Sequence, residues 1–173
     1  LIYAAILILV GRSAIANVRE LESLGLTDAL THLPNRRALH EDVDRLSVGD
    51  QEVALALIDL DSFKQVNDHF GHAVGDQLIE ECARLLRDVC GKEARCYRLG
   101  GDEFAAVMTG KVAGTILEGM SRTLLERLAV PIAVGERQIV VGASIGLSRS
   151  TADHRLPSSE LLRRSDVAMY MSK

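Results

Sequence analysis

The residue types best suited to chemistry lie near the middle of the chain, in the run RLGGDEF at residues 98–104. Gly100 and Gly101 can take the positive φ angles of a tight hairpin at little steric cost. Asp102 and Glu103 follow them directly. Two interpretations are open. The acids are the exposed tip of an ordinary β-turn, or they hold a divalent cation against phosphate on a bare backbone that a ligand can approach closely.

A second acidic stretch ends a predicted strand. Residues 53–60 form a nearly unbroken apolar run, typical of a buried central strand, and the run closes on Asp59, Leu60 and Asp61. A carboxylate at the end of a buried strand is costly unless a cation or hydrogen-bond donors compensate its charge. If this strand end lies beside the hairpin, Asp59 and Asp102 converge on one metal ion, but spacing alone leaves that adjacency open. Asp61 either supports the metal ligands or caps the following turn.

The rest of the pattern predicts the elements that position these acids. Apolar periodicity, with glycine and proline as boundaries, indicates strands on both sides of the hairpin and helices between strands. The predicted strands cover residues 95–99, 104–108, 138–141 and 143–148. The predicted helices start at Pro34, cover 63–68, start at Asp76 after a loop at 71–75, and cover 112–129 and 158–173. This order indicates an α/β fold class with separated hairpins.

Composition narrows the class of protein. The length of 173 residues suits one domain with a sizeable core, and a chain with 47% hydrophobic and 25% charged residues is typical of a globular protein. The net charge of −4 argues against a nucleic-acid surface, which usually carries a basic stripe. Cys82, Cys90 and Cys96 show no metal-ligand spacing and are predicted to be reduced core thiols.

Five blocks of sequence together resemble a known family. Besides the hairpin run, the chain carries DALTHLPNR at 28–36, DLDSFKQVND at 59–68, GHAVGD at 71–76 and SDVAMYMSK at 165–173. In the order and spacing of these blocks the chain is similar to a GGDEF domain, the diguanylate cyclase family. The resemblance implies an α/β (α+β) fold with a mainly antiparallel central sheet flanked by helices, similar to the core of nucleotide cyclases and the polymerase palm.

The resemblance also implies an activity. Diguanylate cyclases condense two GTP molecules into cyclic di-GMP and two pyrophosphates, and each 3′-hydroxyl attacks the α-phosphate of the other GTP across a homodimer. The implied metal is Mg²⁺ or Mn²⁺. Its implied ligands are Asp59, the main-chain carbonyl of Leu60, Asp102 and Glu103. Asp102 and Glu103 are also the implied catalytic residues, and Asp102 assists deprotonation of the hydroxyl.

The family pattern assigns phosphate contacts to the turn after the apolar run. Ser62, Phe63 and Lys64 offer main-chain N–H groups and one cation to the phosphates, and Lys173 matches a family lysine that grips the triphosphate. Taken without the family, Lys173 is equally well a solvated residue at a helix end, where it suits the helix dipole.

Guanine recognition is assigned to Asn67 and Asp76. A carboxylate can accept hydrogen bonds from the N1–H and N2–H₂ groups of guanine, whereas adenine offers no such pair. Base choice made by paired hydrogen bonds is sharp, because the wrong base leaves buried groups unpaired. The alternative is structural: Asn67 is a turn residue and Asp76 an N-cap.

The chain departs from the family pattern at three positions. His32 stands where a glycine is common, and Gly91 and Ala94 stand where an Arg-x-x-Asp motif binds inhibitory product. We therefore expect no product inhibition through that site. For the hairpin itself, Arg98 is predicted to brace the turn rather than touch substrate, and Phe104 to enter the core.

The first ten residues could attach the domain to a membrane or pack on another domain. Residues 1–10 are apolar and make up about half of the roughly 20 residues that a helix needs to span a bilayer. One interpretation is the end of a transmembrane helix, with Arg12 and Arg19 on its cytoplasmic side. It would attach a cytoplasmic catalytic domain to the inner membrane of a bacterium. The other is a helix packed on an upstream sensor domain. Residues 11–25 are predicted to be a helical linker, and residues 26–173 are predicted to be the GGDEF domain. The final strand of the family pattern is expected to follow residue 173.

Two functions other than catalysis fit the same sequence. The first is a degenerate GGDEF domain that binds GTP or a partner without making product, beside a phosphodiesterase domain of a longer chain. The second is a dimerising signal relay in which the nucleotide site is secondary. The retained hairpin acids and the guanine-reading pair, Asn67 and Asp76, favour the cyclase.

Overall fold

The computed structural model describes residues 25–49 and 51–171, which form five helices and six strands. The helices are α1 (Arg36–Leu46), α2 (Phe63–Phe70), α3 (His72–Cys90), α4 (Ala113–Leu128) and α5 (Ser158–Tyr170). The strands are β1 (Val53–Leu60), β2 (Arg95–Gly100), β3 (Glu103–Thr109), β4 (Ile132–Val134), β5 (Arg137–Ile139) and β6 (Ala143–Ser150). The predicted membrane segment at 1–10, nearly all of the predicted linker, and Lys173 lie outside the described residues. Between residues 25 and 171, the described helices include none that is both long and apolar enough to cross a membrane.

The central sheet is antiparallel, as expected. Its strand order is β2-β3-β1-β6, so β1 lies between β3 and β6, while β4 and β5 form a separate hairpin. Val53 pairs with Thr109 on one side and with Ser150 on the other, and the register continues to Asp59 without a shift. This register brings the end of β1 level with the start of β3 and the start of β6.

Helices cover both faces of the sheet, which explains the continuous apolar run of β1. Ala54, Ala56 and Ile58 belong to a core cluster with α3 and α4, whereas Leu55 and Leu57 belong to a second cluster with α1 and α5. A strand buried on both faces needs apolar side chains at every position. Full burial of each large aliphatic side chain stabilises the fold by about 1.5–3 kcal/mol.

A glycine in β6 sets the distance between the sheet and α5. A Cβ atom on Gly146 would lie 1.9 Å from the main-chain oxygen of Ser165 and 2.5 Å from the main-chain nitrogen of Met169. The helix backbone therefore rests directly on the strand, and this position accepts no side chain.

Several predicted boundaries were wrong. Helix α1 begins at Arg36 with Asn35 as its N-cap, because the Asn35 side chain accepts a hydrogen bond from the Ala38 N–H group, and Pro34 precedes the helix. The predicted loop at 71–75 is mostly helix, since α3 begins at His72. The predicted strand at 138–141 ends at Ile139, and β4 had not been predicted.

Candidate functional site

The hairpin between β2 and β3 presents an open glycine tip. Gly100 and Gly101 have φ angles of +134° and +55°, which side-chain-bearing residues rarely adopt. Among the residues that the structure describes, a Cβ built on either glycine would meet no atom within 4 Å. Backbone conformation alone therefore requires glycine here, and the space over the tip is accessible to a ligand.

The end of β1 lies beside this tip, which answers the question that spacing left open. Asp59 is the register partner of Glu103, and the Leu60 N–H group donates a hydrogen bond of 3.2 Å to the main-chain oxygen of Asp102. Asp59, Asp102 and Glu103 are all half-buried. Like charges on directly opposite residues of two strands destabilise a sheet. Such an arrangement is typical of a functional site rather than of a structural one.

Arg36, at the start of α1, partly compensates this negative charge. Its Nη2 atom lies 2.7 Å from Oε2 of Glu103, and its Nε donates to the main-chain oxygen of Leu99 over 3.3 Å. One guanidinium thus contacts both strands of the hairpin. Because half of the Arg36 side chain is exposed, the ion pair adds little to stability. Its stronger effect is on where the Glu103 carboxylate lies.

A second arginine braces the turn from inside, as predicted for Arg98. Its Nη2 and Nε donate to the main-chain oxygen of Gly101 over 2.8 and 3.2 Å, and its Nη1 donates to Oδ1 of Asp28 over 2.9 Å. Asp28 also accepts from the N–H and hydroxyl of Thr31. Burial raises the pKa of Asp28, but the hydrogen bonds from Thr31 and Arg98 outweigh it and hold the pKa below its ordinary value.

The turn after β1 leads directly into α2. Ser62 adopts a left-handed conformation with φ +58°, and α2 starts at the next residue, the buried Phe63. Lys64 is exposed in the first turn of this helix. The first N–H groups of a helix have no acceptor within the helix and favour an anion. Asp59, Ser62 and Ser144 line one cavity of about 530 Å³ at this turn.

Helices α2 and α3 bring Asn67 next to the turn of α3 that carries Asp76. Gly71, with φ +87°, ends α2 and precedes α3. Asn67 is a half-buried residue of α2, and Asp76 is an exposed residue in the second turn of α3. Asn67 is therefore not a turn residue, because it lies inside α2. Asp76 is not an N-cap, because α3 starts four residues earlier, after Gly71.

Comparison with known proteins identifies the family. The family model described as "Diguanylate cyclase, GGDEF domain" matches residues 25–173. The chain belongs to the GGDEF domain family. Two curated relatives are the cyclic di-GMP phosphodiesterase PdeR of Escherichia coli (34% identical over 155 residues) and the bifunctional diguanylate cyclase/cyclic di-GMP phosphodiesterase MucR of Pseudomonas aeruginosa (35% over 162 residues).

The curated relatives are longer than this GGDEF domain. The matches cover 88% and 90% of the chain, but only 23% of the length of either relative. Among solved structures, the GGDEF domain of TpbB (also YfiN) from Pseudomonas aeruginosa superposes with a TM-score of 0.79 at 29% identity, covering 85% of this chain and 88% of that one. The predicted fold and family are thereby confirmed.

The acidic residues of the GGDEF hairpin fit a hard divalent cation. The described part of the chain contains no preformed group of three or more acidic, histidine or cysteine side chains that could hold a metal ion. Mg²⁺ is usually held by one or two carboxylates together with substrate phosphates. Asp59 opposite Glu103, with Asp102 and the Leu60 carbonyl at the same strand ends, supplies donors of that kind.

Sequence reasoning missed residues that support the GGDEF site from other elements. Arg36 contacts Glu103 from α1, and Ser144 of β6 donates a hydrogen bond to Asp61. Gly75 of α3 has no Cβ to occupy the space filled by the Asn67 amide. No local pattern marks Arg36 or Ser144, because strand register and helix packing create their contacts.

Proposed function

We propose that this GGDEF domain is a diguanylate cyclase, which condenses two GTP molecules into cyclic di-GMP and two pyrophosphates. The observation that carries the proposal is the placement of Asp59 opposite Glu103, beside an open glycine tip that carries Asp102. A sheet gains no stability from facing carboxylates, so their presence favours a site that handles a cation and phosphate.

Each part of the site has a role in this proposal. Main-chain N–H groups of Ser62, Phe63 and Lys64, with the Lys64 ammonium, bind the phosphates at the start of α2. Asn67 and Asp76 hydrogen-bond the guanine edge and thereby select GTP over ATP. Lys173, outside the described residues, is proposed to bind the triphosphate.

The hairpin acids act on the reacting atoms. Asp59, Asp102, Glu103 and the Leu60 carbonyl would hold Mg²⁺ or Mn²⁺, which when bound neutralises phosphate charge and lowers the pKa of the attacking hydroxyl. Asp102 assists removal of the proton from the 3′-hydroxyl. Arg36, whose Nη2 lies 2.7 Å from Oε2 of Glu103, helps to fix the position of this carboxylate.

The reaction requires two copies of the chain. One domain holds one GTP, and each 3′-hydroxyl must reach the α-phosphate of the other nucleotide. Two sites therefore meet face to face, and two-fold symmetry makes both attacks equivalent. A homodimer, at least a transient one, is part of the proposal.

A regulatory module without cyclase activity is the second candidate. The relative PdeR is named as a phosphodiesterase, so a similar segment occurs in a protein named for the reaction that consumes cyclic di-GMP. In that case the domain binds GTP or dimerises but forms no product.

Chromatography of the nucleotides after incubation with GTP and Mg²⁺ separates the two candidates. If the domain is a cyclase, the wild type should give a cyclic di-GMP peak, and the peak area should fall about a hundredfold or more in Asp102→Ala. Asp153→Ala, which removes an exposed acid from the loop before α5, is the matched control and should retain the peak. Bound GTP without any cyclic di-GMP would favour the regulatory module.

A further inference from the structure

Asp61, the residue after β1, is tied to β6 rather than to the hairpin. Its Oδ1 accepts a hydrogen bond of 2.8 Å from the hydroxyl of Ser144, a buried residue of β6. Its N–H group donates to the main-chain oxygen of Gly142 over 2.9 Å. Side chain and main chain of Asp61 thus both contact the segment at the start of β6.

The start of β6 is shaped to the Asp61 carboxylate. A Cβ atom on Gly142 would lie 2.8 Å from Oδ2 and 3.5 Å from Cβ of Asp61. The bare Gly142 backbone therefore packs directly against the side chain. Asp59, only two residues earlier, has Glu103 as its register partner on β3, and Ser144 is its register partner on β6.

The contacts of Asp61 hold a strained turn. Ser62 has φ +58°, a conformation that costs a non-glycine residue about 1–2 kcal/mol. Strained residues persist where the neighbouring structure fixes them, and they cluster at functional sites. Asp61 immediately precedes this residue, and α2 begins immediately after it. The orientation of the first N–H groups of α2 therefore depends on the Asp61 anchor.

We propose that Asp61 is a positioning residue that fixes the turn at Ser62, through its hydrogen bond with Ser144, so that the start of α2 meets the triphosphate. It acts as a hydrogen-bond acceptor and not as a metal ligand. This inference rests on the proposed function in one respect, namely that the site takes a guanosine triphosphate.

Two substitutions distinguish an acceptor from a metal ligand. Asp61→Asn keeps the side-chain size and the Oδ1 acceptor but removes the negative charge, which a cation ligand needs and a hydrogen-bond acceptor does not. Ser144→Ala removes the donor and leaves the Asp61 carboxylate in place. Asp61→Ala removes acceptor and charge together.

The test uses ligands that cannot be turned over. Binding of 3′-deoxy-GTP, which lacks the attacking hydroxyl, is measured by titration calorimetry with Mg²⁺, and guanosine, which lacks phosphate, by competition. Asp61→Ala and Ser144→Ala should weaken 3′-deoxy-GTP binding about tenfold, as expected for the loss of one hydrogen bond to a charged group. Guanosine binding should stay near the wild-type value in both, and Asp61→Asn should bind both ligands as the wild type does.

Three results would overturn the inference. The first is an Asp61→Asn variant that binds 3′-deoxy-GTP as weakly as Asp61→Ala does. The second is a Ser144→Ala variant that binds it as the wild type does. The third is an equal loss of affinity for guanosine and for 3′-deoxy-GTP. Thermal unfolding of each variant checks that it folds; if Asp61→Ala does not, Asp61→Asn and Ser144→Ala still decide the question. Because no turnover is needed, absence of cyclic di-GMP from the wild type would defeat the proposed function without obscuring this pattern.

Discussion

The amide oxygen of Asn67 lies where a side chain on Gly75 would begin. A Cβ atom on Gly75 would stand 1.9 Å from Oδ1 of Asn67, 3.0 Å from its Cγ and 3.2 Å from Cζ of Phe63. Helix α2 therefore packs against α3 through this glycine. The position of the Asn67 side chain, one of the proposed guanine contacts, depends on the absence of a methyl group at residue 75.

We predict that Gly75→Ala weakens GTP binding by displacing Asn67. The matched control is Gly119→Ala in α4, where an added Cβ meets no atom of the described part of the chain within 4 Å. In a helix interior, alanine is more stable than glycine by about 1 kcal/mol, so the control should raise the melting temperature and leave GTP affinity unchanged. Titration calorimetry with 3′-deoxy-GTP measures both variants. Equal affinities for Gly75→Ala and wild type would contradict the role of this contact.

His32 stands where the family commonly has glycine, and its backbone adopts a left-handed conformation. Its φ is +55° and its side chain is exposed, so little packing is lost when the ring is removed. We expect His32→Gly to relieve backbone strain and to stabilise the fold by up to about 1 kcal/mol. His32→Val, a β-branched residue in the same conformation, should destabilise it. Urea unfolding provides both values, and a His32→Gly variant less stable than wild type would exclude strain at this residue.

The ion pair between Asp28 and Arg98 should make stability depend on pH. The pKa of Asp28 is lowered from 3.8 in the folded chain, so its charged form contributes fully above pH 3.8 and the contribution is lost as the pH falls through the lowered pKa. Asp28→Asn should therefore lower the free energy of unfolding at neutral pH, by about 1–2 kcal/mol. The difference from wild type should shrink in acid. A difference that is constant with pH would contradict the charge interaction.

We expect cyclic di-GMP, the product, not to inhibit the enzyme through the Arg-x-x-Asp site that the family often has before the hairpin. Gly91 has φ +56° at the end of α3, and Ala94 is buried, so the arginine and the carboxylate of the usual motif are both replaced. We predict that added cyclic di-GMP slows the initial rate only by competing with GTP. Initial rates at several GTP concentrations measure this. A fall in the maximal rate at saturating GTP would reveal a separate product site.

The sequence predicted the elements whose signal is local. The limits of β1 were correct at both ends because a strand buried on two faces is apolar throughout. The start of α3 was missed because Gly75 looked like a loop residue, whereas it is required by the packing of Asn67. Strand β4 has three residues, too few for a periodic pattern.

The supporting residues of the site could not be found from sequence in the same way. Asp59 was recognised because an acid that ends an apolar strand is unusual, and Glu103 because it follows the glycine pair of the hairpin. Ser144 and Arg36 are ordinary residue types, and only the register of β6 and the position of α1 bring them to the acids. Their importance depends on contacts between residues that are distant in sequence.

In the proposed reaction two copies of this chain join two GTP molecules, so the deciding measurement is the rate of cyclic di-GMP formation as a function of protein concentration. At concentrations where the chain is monomeric, the rate should rise with the square of the protein concentration, because each productive encounter needs two loaded domains. Added Asp102→Ala should also lower the rate of the wild type by forming mixed dimers. A rate that is linear in protein where the chain is monomeric, and that the variant does not affect, would contradict catalysis across a dimer. GTP binding with no product at any concentration would contradict the cyclase itself.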